Sequence, residues 1–182
     1  GSEMCIRDSD KTGHMKILNF ICNIYLTVIR GTPTMVQLLI IYYVIFSSVH
    51  IDKLIVAILA FGINSGAYVA EIFRSGIMSV DKGQMEAARS LGLSYAKSMQ
   101  KIILPQAVRI CLPSLVNQFI ITLKDSTILY AIGLSEVMYN AKIYVGRTME
   151  SFATYTWVAV FFLLIVTVLS FISRYVERRM NA

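Results

Sequence analysis

The sequence predicts an all-α, polytopic membrane helix bundle with one helical loop on its cytoplasmic side. Three observations predict it. Of 182 residues, 56% are hydrophobic and only 15% charged, whereas soluble domains carry roughly a quarter charged residues. The apolar residues gather into runs close to the ~20 needed to cross a ~30 Å hydrocarbon core. Basic residues flank those runs and fall mostly on one side of them, which is how membrane proteins set their orientation. The same composition excludes disorder, and 10 Gly with 3 Pro exclude collagen. Three cysteines (Cys5, Cys22 and Cys111) are too few and too scattered for a disulfide framework or a zinc site. The net charge of +6 would suggest nucleic acid in a soluble protein. No basic run or RNP-like string accompanies it, so no nucleic-acid partner is expected.

Residues 1–13 (GSEMCIRDSDKTG) are polar and mixed in charge. They lack the apolar core of a secretory signal and are expected to be a non-native or disordered leader, with the transmembrane domain covering residues 14–182. Residues 17–29 (ILNFICNIYLTVI) are apolar but too short to span, and Asn19, Asn23 and Thr27 interrupt them. They are expected to form an interfacial helix or a bent run-in to the first span. The first span is expected at 34–49, opened by Pro33. A short turn at 50–53 leads to the second, at 54–70. The third is expected at 110–123, extended backwards through Gln106, and the fourth at 155–173. Pro113 lies inside the third and could hinge it or simply be tolerated.

Orientation follows from counting. With the segment between spans two and three inside, Lys16, Arg30, Arg74, Lys82, Arg89, Lys97, Lys101, Arg109, Arg174, Arg178 and Arg179 are cytoplasmic. Only Lys53, Lys124, Lys142 and Arg147 are then outside. The reverse orientation would invert this bias. The inside segment, about 75–105, reads as helix–turn–helix. Ser79 and Asp81 can cap a helix over 84–91, Gly92 supplies the positive φ that ends it, and a second helix over 95–103 runs to Pro105.

Within this loop, Glu86-Ala87-Ala88, three residues, Gly92, nine residues, Ile102, one residue and Leu104-Pro105 resemble the EAA motif of ABC-importer permeases. Arg30-Gly31-Thr32-Pro33, Ala67-Tyr68, Glu71 with Arg74 and Gly76, Lys124-Asp125-Ser126 and Glu177-Arg178-Arg179 resemble the polar amino acid (histidine/glutamine permease) branch. The resemblance covers about residues 23–180. It implies five spans, one more than the four seen here. It also implies a bacterial inner-membrane location with a cytoplasmic coupling loop and C-terminus, and a second permease as homo- or heterodimer. Its other implied partners are ABC ATPase subunits, an external solute-binding protein and a polar amino acid. The chain has no Gly-x-x-x-x-Gly-Lys-Ser/Thr loop, so it is expected to be non-catalytic and to bind no cofactor, with ATP and Mg held by the partner ATPase.

On this reading the coupling residues are Glu86, Ala87, Ala88, Arg89, Gly92, Leu104 and Pro105. The alanines permit close approach, Glu86 and Arg89 offer charge at the rim, and Gly92 turns the chain so the helix protrudes into a groove on the ATPase. Without the resemblance, an amphipathic surface helix with a glycine stop explains the spacing better. Polar residues in hydrocarbon are costly and usually face a cavity or a partner. Asn64, Ser65 and Tyr68 in span two, Asn117, Gln118 and Thr122 in span three, and Lys124 and Asp125 beyond it are therefore candidates for a solute pathway, or else for hydrogen bonds that hold the bundle. Gly62, Gly66 and Ala70 share a small-residue face that could be a moving or dimerising seam, or plain packing within one subunit. Glu71 and Arg74 can pair at (i, i+3), for gating or for structure. His14 and His50 form no metal-ligand set. A secondary transporter would want an acidic residue deep in a span, and a membrane enzyme a nucleophile or carboxylate cluster; the sequence shows neither.

Overall fold

A computed structural model describes residues 13–49 and 51–180, with side chains for 17–49 and 51–175. The leader before Gly13 and His50 of the expected turn lie outside the described residues. Among the described residues eight α-helices form in order: α1 Gly13–Gly31, α2 Thr34–Ile40, α3 Lys53–Ser79, α4 Lys82–Ser90, α5 Tyr95–Ser98, α6 Leu104–Asp125, α7 Val137–Thr148 and α8 Ser151–Met180. π turns extend α2 over Ile41–Ile45 and join α5 to α6 over Met99–Ile103, and a 3₁₀ helix follows α6 over Ser126–Ile132. No strand occurs among the described residues.

Helices α3 and α6 form the central antiparallel pair. Asp52 starts α3 by accepting a hydrogen bond from the Leu54 amide at 2.8 Å. The helix then buries Val56, Ala57, Ala60, Asn64, Ala67 and Gly76. At ~1.5 Å per residue its 27 residues reach ~40 Å, longer than the hydrocarbon. Opposite it, α6 buries Ala107, Cys111 and Ile120 and stays helical through Pro113. Helix α8 packs against α6 and α7, and its mean hydropathy of 2.4 is the highest of the spans. Its Trp157, Leu163, Leu164, Val168 and Phe171 are exposed, as expected of a helix facing lipid or another subunit.

The first expected span is shorter than 34–49, and the run-in before it is sharply bent. Helix α2 with its π turn covers only residues 34–45, or ~18 Å, and its axis is bent by 109° from that of α1. Proline causes the break. Pro33 has no N–H to donate, and the residue before a proline is pushed out of the helical region. Tyr25 of α1 donates to the Ile63 carbonyl at 2.5 Å, and Arg30 reaches Glu71 at 3.4 Å, so α1 runs in the same sense as α3. Thr34 meets Asn64, and Leu38 packs on Ala60 and Ile132, so α2 runs back the other way. Among the described residues three helices are long and apolar enough to cross a membrane, and the bent α1–α2 pair is a broken span or a re-entrant loop.

The loop end has a second small core. Val80, Ile103 and Ala107 are buried there, with Ile77, Met85, Met99 and Ile102 packed around them. The expected stop at Pro105 does not occur. The π turn lets the Leu104 amide reach back to the Met99 carbonyl, and Pro105 then sits in the first turn of α6, where its missing N–H is not needed. Between α6 and α8, helix α7 is capped by Glu136 and closed by Met149 in the left-handed region at φ 59°.

Candidate functional site

Helix α4 stands at the tip of the loop. The Asp81 carboxylate accepts from the Gly83 amide at 2.7 Å and fixes its start. Gly92 adopts φ +82°. Its amide donates to the Arg89 carbonyl at 3.0 Å, and the Leu93 amide to the Ala88 carbonyl at 3.2 Å, so the end closes as a glycine stop. Glu86, Ala87, Arg89 and Gly92 are exposed. Ala88 is not. It is 2% exposed and faces the chain's own interior, so of the two alanines expected to admit a partner only Ala87 points outward. Leu104 is partly exposed at 38% and Pro105 is exposed; both lie behind the tip, at the root of α6. Leu91 is 84% exposed. A bare leucine beside Glu86 and Arg89, on a helix held by its own core, makes a compact apolar and charged knob.

The expected pathway residues separate into three groups. Asn64 is buried, and its Nδ2 donates to Gln37 Oε1 at 2.9 Å and lies 3.4 Å from Thr34 Oγ1. It therefore joins helices. Ser65 meets Thr122 at 3.3 Å, and Thr122 Oγ1 donates to the Gln118 carbonyl at 3.0 Å, which brings α3 and α6 together through hydroxyls. Tyr68 and Gln118 line an open groove of about 260 Å³ with Arg30, Glu71, Ser75 and Ser114. Asn117 is exposed on α6 away from that lining, and so is Lys124. Asp125 is half-buried at the end of α6 farthest from the loop.

Arg30, Gln37 and Cys111 carry more of the site than their local sequence suggests. The Arg30 guanidinium lies 3.4 Å from Glu71 and 5.8 Å from the Tyr68 ring centroid. Arg74 holds the same carboxylate at 2.5 Å, the (i, i+3) pair that spacing predicts. Gln37 was legible only as a lone amide within an apolar run. The Gly62–Gly66–Ala70 face of α3 looks away from the Gly76 contact with α6. Gly66 meets Tyr25 of α1, and Gly62 has open space beside it. Gly76 makes the close approach instead, against Cys111 and the Ala107 carbonyl. Among the described residues no cluster of three His, Cys, Asp or Glu could hold a metal ion.

Comparison with known proteins places these features. Residues 12–182 match the family described as binding-protein-dependent transport system inner membrane component. The glutamine transport system permease protein GlnP of Escherichia coli K12 is 41% identical over 168 residues, covering 91% of this chain and 77% of that protein. The arginine transport system permease protein ArtQ of Bacillus subtilis 168 is 38% identical, covering 90% and 75%. A crystal structure of an amino acid ABC transporter with histidines superposes with a TM-score of 0.85 at 40% identity, covering 90% of this chain and 77% of that one. The multi-pass helix bundle, the exposed glycine-closed knob and these matches agree: the chain belongs to the family of inner membrane components of binding-protein-dependent transport systems, as an ABC-transporter permease that is not itself catalytic.

Proposed function

We propose that this permease imports a polar amino acid across the bacterial inner membrane by alternating access, with its knob docked in a groove of a cytoplasmic ABC ATPase. The observation that carries the reading is the α4 knob. Glu86, Ala87, Arg89 and Leu91 are exposed on a short helix whose other face is fixed by Ala88, Met85 and the small core at the loop. A rigid lever of this kind transmits motion; a floppy loop would absorb it. Gly92 sets the knob's angle, while Leu104 and Pro105 root it in α6, so a push on α4 is passed into a span.

ATP and Mg belong to the ATPase partner. ATP closes the paired nucleotide-binding subunits, the knobs of two permeases follow, and the spans rock so that the cavity faces outward. A solute-binding protein delivers the amino acid there, and hydrolysis returns the cavity inward. The amino acid class rests on the names of the relatives and on a groove whose Arg30, Glu71, Tyr68 and Gln118 offer both charges and neutral hydrogen-bonding groups. Lys124 and Asp125, at the far end, suit an outer mouth, and Ser65 and Thr122 lie between the two ends.

The test is transport itself. The permease, co-expressed with its ATPase and binding protein and placed in vesicles, is expected to accumulate labelled glutamine, arginine or histidine only with ATP supplied on the knob side. Competition by a panel of unlabelled amino acids identifies the solute. Accumulation that follows a proton or sodium gradient without ATP contradicts the reading.

A further inference from the structure

The elbow between α1 and α2 leaves carbonyl groups without helical partners, since the last four C=O groups of a helix have none of their own. One side chain takes one of them together with a carbonyl just past the helix end. Gln37 Nε2 donates to the Ile29 carbonyl at 2.7 Å, and lies 3.0 Å from the Thr32 carbonyl and 2.7 Å from Thr32 Oγ1. Thr32 Oγ1 in turn donates to the Val28 carbonyl at 2.7 Å. An amide nitrogen has two hydrogens, so the two Thr32 oxygens share one while Ile29 takes the other. The orientation of the amide follows from its partners. Backbone carbonyls only accept, so the nitrogen faces the elbow and Oε1 faces α3, where Asn64 Nδ2 donates to it at 2.9 Å.

The elbow also carries Arg30, one residue past Ile29. Its guanidinium reaches Glu71 and Tyr68 at the wall of the groove between α3 and α6. We propose that Gln37 is a positioning residue of the transport cycle: its carboxamide pins the elbow to the second span at Asn64 and thereby holds Arg30 at the groove. Gln37 touches no solute on this account. It acts through Arg30, by fixing the backbone that presents it.

The consequence is a specific loss. With the pin removed, the ATPase still docks on the distant α4 knob and still turns over, but the groove is no longer set when the spans rock. Gln37→Glu is the most discriminating change. A carboxylate keeps an acceptor for Asn64 but presents oxygen, not N–H, to the Ile29 and Thr32 carbonyls. In the complete transporter in lipid, with ATPase and binding protein, Gln37→Glu is expected to leave subunit assembly and basal ATP hydrolysis at wild-type level. Solute moved per ATP should fall about threefold or more, within the range of couplings carried by packed networks. Uptake by Gln37→Leu with Asn64→Leu should fall no further than by either change alone, since both cut the same link.

This inference rests on the transport reading, and the two fail differently: unmodified protein that does not couple ATP to uptake defeats that reading, whereas a variant with unchanged solute per ATP defeats only the pin. Additive losses in the double variant also overturn it. Should Gln37→Glu not assemble, Thr32→Val removes one acceptor and the Val28 bond while leaving Gln37 and Asn64 in place. A coupling loss in that assembled variant supports the proposal. Failure of both to assemble makes Gln37 a folding residue and overturns it.

Discussion

Gly76 and Cys111 mark a close approach of the two central helices: a Cβ placed on residue 76 would lie 2.1 Å from the Cys111 sulfur. That sulfur is itself held, since it hydrogen-bonds to the Ile72 carbonyl at 3.3 Å. In lipid, helices associate by close van der Waals packing and not by excluding water, so such a contact sets the spacing of α3 and α6. Gly76→Ala is expected to overpack it, lowering stability by about 1–3 kcal/mol as read from thermal melting in detergent. Gly76→Ala with Cys111→Ala removes the sulfur, leaves the Ala107 carbonyl at 3.2 Å as the nearest atom, and is expected to recover most of the loss. A double variant no better than the single would show that the contact does not limit the packing.

Two asparagines on facing spans should behave differently. Asn64 is 6% exposed and bonded to Gln37, and its loss also strands the Gln37 carbonyl oxygen. Asn64→Leu is expected to cost about 0.6–1.7 kcal/mol, the range measured for interhelical hydrogen bonds in membranes. Asn117 is exposed on α6, and Asn117→Leu is expected to leave the melting temperature close to wild type. Equal shifts for the two would contradict the assignment of Asn64 to the elbow.

Helix α4 and helix α7 lie at opposite ends of the central pair, because one joins α3 to α6 and the other follows α6. Ser90 on α4 is exposed, and Gly146 on α7 has open space beside it, so each accepts a cysteine. In a cysteine-free background, a membrane-impermeant maleimide applied to intact cells is expected to label Gly146→Cys and spare Ser90→Cys. Inside-out vesicles should give the reverse. Labelling of both from one side would contradict the basic-residue orientation.

The long apolar runs made α3, α6 and α8 legible, and Gly92 alone marked where α4 must end. Pro33 was legible as the opening of a helix but not as a reversal of the chain. Local sequence specifies where a helix stops; the direction in which the chain leaves depends on Tyr25, Leu38 and Gln37 finding partners on α3. The (i, i+3) pairing of Glu71 with Arg74 was visible in the spacing, while Arg30, 41 positions away from Glu71, was not. The face by which α3 meets α6 was equally hidden. Glycine and alanine occur on two faces of α3, and only the neighbour's shape, above all Cys111, decides which one is used. Ala88 shows the same limit at the knob, since its motif position does not reveal that it points inward.

The central claim is that the α4 knob is where an ATPase grips this permease. Its most direct measurement is capture. The ATPase from the same operon, co-expressed with affinity-tagged permease, is expected to co-purify with the unmodified chain and to be lost with Glu86→Lys or Leu91→Glu. Both side chains are exposed, so the permease itself should remain folded and monodisperse in each variant. Full retention of the ATPase by both variants would contradict the account.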